Sequence, residues 1–390
     1  MTGPLASVRV LDLSRLVPGA VCSQLLADLG AEVIKIEAPG AGDYMRTVGP
    51  PLAGTGTSYQ FATLNRNKRS ICVNLKSQRG AELVRRLAAR SDVLIENYRP
   101  GVMASFGLSY NDLKGSCTEL IYCAISGYGQ AADTLPAHDI NLLAMSGFLS
   151  RTGETPHLPP VPLADFETGE RAALSICAAL HGRQQGRGGA FIDIAMLDGM
   201  VSLMMLTVAD YLATGREPAG HDELSGRMPM SGGRAPGYGV YQTQDGRFIA
   251  LGAVEDRLWN GLCEAVGRPD LATSPAAPAE VERQLSEAIA CRTLADWMTL
   301  FRQRGIPASA VNRVTDLLDD PVVRGRDLAR RVQDRARGPY PVIGWGTGLP
   351  GDDTQDTAAP GLGADTHAVL TEIGVPAEEL TALEQEGVIA

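Results

Sequence analysis

Short apolar runs separated by polar turns mark the first half of the chain. Residues 8–13 form one such run, residues 14–19 a turn, and residues 20–29 a helical pattern that stops at Gly30. Residues 31–37 form a second apolar run. A strand, a turn, a helix and a second strand in that order predict a parallel sheet. The alternation continues with a strand over residues 71–75, a helix over 78–90, and strands over 92–96 and 120–126. The last of these delivers the chain to a glycine-rich turn, Gly127-Tyr128-Gly129. A helix is predicted over residues 168–184, with Asp165 just ahead of it in the place of an N-cap. Residues 190–194 form a further strand. Residues 195–214 form a long apolar helix whose Met196, Met200, Met204 and Met205 read as core or subunit contact.

The pattern changes beyond residue 214. Residues 215–237 carry several Gly and Pro, and read as a linker or active-site loop. Residues 239–252 predict a hairpin turning at Asp245-Gly246. Helices over residues 255–266, 279–292 and 294–304 follow, which suggests a second, smaller α+β domain. Asp320-Pro321 opens a helical segment. The arginine-rich residues 324–337 read as a solvated face, and the Pro/Gly-rich residues 339–359 lead to two short terminal helices. The expected organisation is a large domain over 1–200, a helix and linker over 201–238, and a small domain over 239–325.

Composition narrows the function. The chain has 390 residues, 44% hydrophobic and 21% charged, as a soluble globular protein does. A net charge of −10 argues against nucleic-acid binding. Seven cysteines without a C-x-x-C pair fit a reduced, cytoplasmic protein. No apolar run reaches about 18 residues, so no membrane span is expected, and residues 1–7 hold no signal-peptide pattern. The turn at residues 14–19 has a single glycine, so the dinucleotide fingerprint is absent. The five histidines are scattered, and no metal site is expected.

Two constellations carry candidate chemistry. Arg66, Lys68, Arg69 and Lys76 stand out from an acidic chain and read as a phosphate-binding patch. His138 and Asp165 are a candidate acid/base pair. Placed on opposite sides of one carbon, such groups can remove and return a proton in both directions.

Longer motifs add a resemblance. They include residues 25–37, Asn65-Arg66-Asn67-Lys68-Arg69-Ser70, residues 92–101 and Gly186-Arg187-Gly188. Over about residues 5–267 the chain resembles the family III CoA-transferases and the related α-methylacyl-CoA racemases. The resemblance implies an α/β fold with a Rossmann-like large domain, a smaller α+β domain and an interlocked homodimer, with residues 326–390 returning to complete the large domain. It implies an acyl-CoA thioester as substrate, with CoA as part of that substrate and no separate cofactor. Val73, Lys76, Asn97, Tyr98 and Arg99 match family CoA contacts, near the patch holding Arg66 and Lys68. Asp165 matches the aspartate that is a nucleophile in transferases and an acid/base in racemases. Ala137-His138-Asp139-Ile140-Asn141 is similar to a racemase motif where transferases usually carry tyrosine. Gly252-Ala253-Val254-Glu255 is similar to a racemase segment whose glutamate supports the histidine. The expected activity is therefore inversion of a 2-methylacyl-CoA α-carbon by His138 and Asp165, with CoA transfer through Asp165 as the alternative. Backbone N–H groups at the head of the Asp165 helix or near Asp139 are candidate donors to the enolate oxygen.

Overall fold

The computed structural model describes residues 3–131, 135–218, 229, 232–334, 338–346, 348 and 356–390. Two compact units emerge. The first comprises Met1–Met145, Val161–Met200 and Pro321–Ala390, and the second Ser146–Pro160 and Val201–Asp320.

The first unit is built on six parallel strands. They are β1 (Arg9–Asp12), β2 (Glu32–Glu37), β3 (Lys68–Cys72), β4 (Val93–Glu96), β5 (Ile121–Ser126) and β6 (Ala190–Ala195). Their order across the sheet is β3-β2-β1-β4-β5-β6, and every neighbour pair is parallel. Val10 of β1 pairs with Val33 on one side and Val93 on the other. This is the Rossmann strand order, and its direction reverses between β1 and β4. The apolar runs of the sequence became central strands because both faces of a parallel sheet are covered.

Helix α1 (Leu16–Asp28) follows β1. It starts four residues earlier than the pattern predicted, taking in the Pro18-Gly19 read as a turn. Proline is tolerated there because first-turn N–H groups have no intrahelical partner. Helix α2 (Gln78–Ala88) crosses from β3 to β4, and α3 (Asp139–Met145) follows β5. Helix α4 (Leu163–Gly182) begins five residues ahead of the predicted 168, so Asp165 lies inside its first turn rather than at its N-cap. The N-cap is Pro162, which offers no side-chain cap. Helices α1 and α4 pack closely at Gly169, where a Cβ would lie 2.4 Å from Val21 Cγ1 and 2.7 Å from Pro18 O. The predicted long helix over 195–214 is two helices, α5 (Met196–Leu203) and α6 (Met205–Thr214), broken at Met204. Among the described residues no single helix is long and apolar enough to cross a membrane.

In the second unit a hairpin of β7 (Tyr238–Gln242) and β8 (Phe248–Gly252) pairs with β9 (Ala308–Ala310), all antiparallel. Helices α7 (Asp256–Ala265), α8 (Pro278–Ile289) and α9 (Leu294–Arg304) accompany it. Their shared core holds Ile249, Leu251, Leu262, Leu285, Trp297 and Phe301. Trp297 Nε1–H donates to Ile289 O at 2.7 Å, so the buried indole is satisfied. Of the predicted linker, residues 219–228, 230 and 231 lie outside the described residues.

The chain then rejoins the first unit. Part of the stretch expected to be a solvated arginine face is strand β10 (Ala329–Val332), paired with β11 (Tyr340–Ile343). Val332, Tyr340 and Val342 are buried there against Ala62. Residues 335–337, 347 and 349–355 of this region lie outside the described residues. Helices α10 (Thr366–Glu372) and α11 (Ala377–Gln385) bring Val369, Leu370, Leu380 and Leu383 into the core beside Leu11, Ile34 and Leu94. Asn74 N donates to Val388 O at 2.8 Å, and Val73 bridges to Ile389. All seven cysteines are free.

Candidate active site

A parallel sheet leaves a crevice beyond the carboxyl ends of its strands where the strand order reverses. Here that point lies between β1 and β4, and the turns after them are laced together. Asn97 Oδ1 accepts from Arg15 N at 2.8 Å, and Asn97 Nδ2 donates to Arg15 O at 2.7 Å. The Arg15 guanidinium donates to the Tyr98 hydroxyl at 3.2 Å and lies 5.0 Å from the centre of its ring. Tyr98 N in turn donates to Glu96 Oε2 at 2.8 Å. Glu96 is only 4% exposed, and burial pushes its carboxyl up to about 8.

This clamp forms one wall of a cavity of about 360 Å³. Asn97, Tyr98 and Arg99 line it with His138 and Asp165, so five of the residues singled out in the sequence share one space. Arg15, Tyr44 and Tyr128 also line it and were missed. The signal that finds Arg15 is positional: it follows β1, opposite the turn after β4.

Asp165 is held at the cavity by the first turn of α4. Asp139, the first residue of α3, supplies the missing cap: its Oδ1 accepts from Ala164 N at 2.7 Å and from Asp165 N at 3.3 Å. These amides are therefore occupied, which removes them as the oxyanion donors expected at this helix head. Burial, helped by the Asp139 charge, raises the Asp165 carboxyl to about 7. A carboxyl in that range has both forms available at neutral pH, as nucleophile or base and as acid. His138 is exposed, and its backbone N donates to Asn141 Oδ1 at 2.9 Å. Asp139 itself is not among the lining residues.

The basic patch is not a phosphate site at two of its positions. The Arg66 and Lys68 side chains are 0% exposed. Arg66 pairs with Asp28 and, at 3.3 Å, with Asp356. Lys68 Nζ donates to Ser23 Oγ at 2.7 Å and Asn65 Oδ1 at 3.0 Å, with Asp12 Oδ2 at 3.4 Å. Burial pulls the Lys68 ammonium down to about 8 despite the Asp12 carboxylate. The reason is strand placement: Lys68 opens β3, and its side chain runs beneath α1 instead of into solvent. Val73 is buried in the core, and Lys76 is exposed; neither lines the cavity. Glu255 belongs to the second unit, exposed at the N-cap of α7 and making no side-chain cap bond. Among the described residues no cluster of His, Cys, Asp and Glu could hold a metal.

Comparison with known proteins identifies the family. The family model for CoA-transferase family III matches residues 5–366. A succinyl-CoA:glutarate CoA-transferase from Mus musculus is 34% identical over 87% of this chain and 79% of its own. An alpha-methylacyl-CoA racemase from Homo sapiens is 32% identical over 99% of this chain and 97% of its own. A CAIB/BAIF family protein from Brucella suis has the same fold, with a TM-score of 0.82 and 30% identity over 96% of this chain and 100% of its own. Further relatives at 33% identity also carry CoA-transferase names. The fold, the cavity at the strand reversal and the match along most of the chain place this protein in CoA-transferase family III.

Proposed function

We propose that the protein is a CoA-transferase that moves CoA from an acyl-CoA to a carboxylic acid, with Asp165 as nucleophile. The observation that carries this reading is the Asp165 carboxyl, lining the cavity and made unusually basic by burial. A more basic carboxylate is a better nucleophile toward a thioester carbonyl. Its attack expels CoA thiolate and leaves a mixed anhydride. The thiolate then attacks the Asp165 carbonyl, releasing the donor acid and forming an aspartyl-CoA thioester. The acceptor carboxylate repeats the sequence in reverse, leaving Asp165 free. The clamp of Arg15, Asn97 and Tyr98 holds the wall along which the thioester lies, and Arg99 offers a cation to the nucleotide phosphates. The CoA-transferase names of several relatives support the assignment. Succinate and related dicarboxylic acids are the acids to try first. Acyl-CoA and acceptor acid are mixed with the protein and the CoA esters separated by chromatography. A new CoA ester that requires both protein and acceptor supports transfer; its absence across a broad acid panel refutes it.

A second reading is favoured by one specific observation. His138 lines the same cavity as Asp165, and a second acid/base is what α-carbon inversion requires and transfer does not. In that reaction one group takes the α-proton of a 2-methylacyl-CoA while the other returns one to the opposite face.

A further inference from the structure

Asp139 touches no part of the cavity, yet its carboxylate lies at the base of the helix turn that carries Asp165. The head of a helix is electropositive, and its free amides stabilise a nearby anion. Asp165, in the first turn of α4, stands to gain from that field. Asp139 intercepts it: its Oδ1 accepts from Ala164 N at 2.7 Å and Asp165 N at 3.3 Å. One carboxylate has taken up the amides that would have favoured ionisation of the other.

We propose that Asp139 is a positioning residue with two separable effects: as an acceptor it fixes the head of α4 and so the place of the Asp165 carboxyl, and as an anion it opposes ionisation of that carboxyl. The proposal rests on Asp165 being the reacting group. It deepens that reading by naming the residue that sets its charge state.

Among the described residues the other groups around Asp165 do not supply this effect. Arg15 and Arg99 line the cavity from the turns after β1 and β4, and would favour the anion. Tyr44 lines it from the turn beyond β2, Tyr128 from the turn after β5, and His138 from the residue ahead of α3. Helix α1 meets α4 through Pro18 and Val21, which carry no charge. On α4 itself Glu167 is paired with Arg171 at 2.6 Å. Burial and Asp139 are what hold the Asp165 carboxyl up.

The two effects come apart in two variants. Asp139→Asn keeps an oxygen acceptor for the amides and removes the charge. Asp139→Ala removes both. With Asp139→Asn, the acid limb of the kcat/KM profile shifts down by about one pH unit, while thermal stability stays near wild type. Asp139→Ala also destabilises the fold. A purely structural cap predicts that Asp139→Asn leaves the pH limb unmoved, and that outcome overturns the proposal. A second measurement needs neither turnover nor a variant. With aspartate labelled at Cγ with carbon-13, the wild-type protein is titrated by NMR. Coupled titration of the Asp139 and Asp165 resonances, with Asp139 ionising first, supports the proposal. Independent titrations refute it, whichever reaction the enzyme performs. Failure of the catalytic assignment would instead appear as coupled titration in a protein whose Asp165→Asn variant keeps full activity.

Discussion

In the proposed transfer Asp165 carries the chemistry, so its substitution gives the sharpest contrast. Asp165→Asn, similar in size and unable to form an anhydride, should lower transfer by on the order of 10³-fold or more, measured by chromatography of the CoA esters. Wild-type activity should follow the Asp165 anion. Its carboxyl is raised to about 7, so kcat/KM should fall as pH drops through that value and level off above it. An ordinary aspartate would hold the plateau down to about pH 4. Arg66 calls for the opposite readout. With its side chain buried between Asp28 and Asp356, Arg66→Ala takes the cation from the buried Asp28 and one of two from Asp356, which keeps Arg330, at a cost of about 3–5 kcal/mol. Denaturation should show that loss, and CoA affinity of the folded fraction should stay near wild type. His138, Asp165, Asn97, Tyr98 and Arg99 were legible because each sits in a distinctive motif. The fate of Arg66 and Lys68 was not, because a cation entering a buried strand and one entering a surface loop look alike until its carboxylate partners, distant in sequence, are placed.

Five of the six sheet strands were legible to within a residue at each end, since a buried parallel strand needs a continuous apolar run and little else does; β3 is Lys68–Cys72 rather than the expected 71–75, because its first residues are polar and carry no apolar signal. Helix heads were less so. Helix α1 begins at Leu16, through a Pro-Gly pair that reads as a turn; α4 begins at Leu163, capped by Asp139 from a different helix. A cap supplied across the fold leaves no mark next to the helix it caps. The break at Met204 is equally silent, because apolar residues continue on both sides of it. The α1–α4 contact offers a direct test of this packing. A Cβ on Gly169 would meet Val21 Cγ1 at 2.4 Å and Pro18 O at 2.7 Å, so Gly169→Ala must push the helices apart. The expected cost is about 1–3 kcal/mol, seen as a lower urea midpoint at unchanged slope. Because α1 and α4 both border the cavity, transfer should weaken as well.

The strand order β3-β2-β1-β4-β5-β6 places the cavity that holds Asp165, since the reversal between β1 and β4 opens a crevice beyond the strand ends. The alternating strands and helices announced that sheet, while the return of residues 321–390 to the first unit depended on contacts with β3 and Asn74 that no local pattern records. Helix α6 has no buried residue and exposes Met205, Leu206, Val208, Tyr211 and Leu212. An apolar face of that extent is expected to meet a partner, and the interlocked homodimer implied by the family resemblance would supply one. Light scattering should therefore give twice the 41.2 kDa chain mass, and tagged and untagged protein should form no hybrid when mixed under native conditions. Transfer through Asp165 requires its carboxylate to bond covalently to the substrate. The most direct measurement is to incubate the protein with a 2-methylacyl-CoA in deuterated water without acceptor acid, quench with hydroxylamine, and analyse protein and substrate by mass spectrometry. Transfer through Asp165 gives a hydroxamate at Asp165 and an α-carbon that keeps its hydrogen. An unmodified Asp165 beside a substrate that has taken up α-deuterium would contradict it.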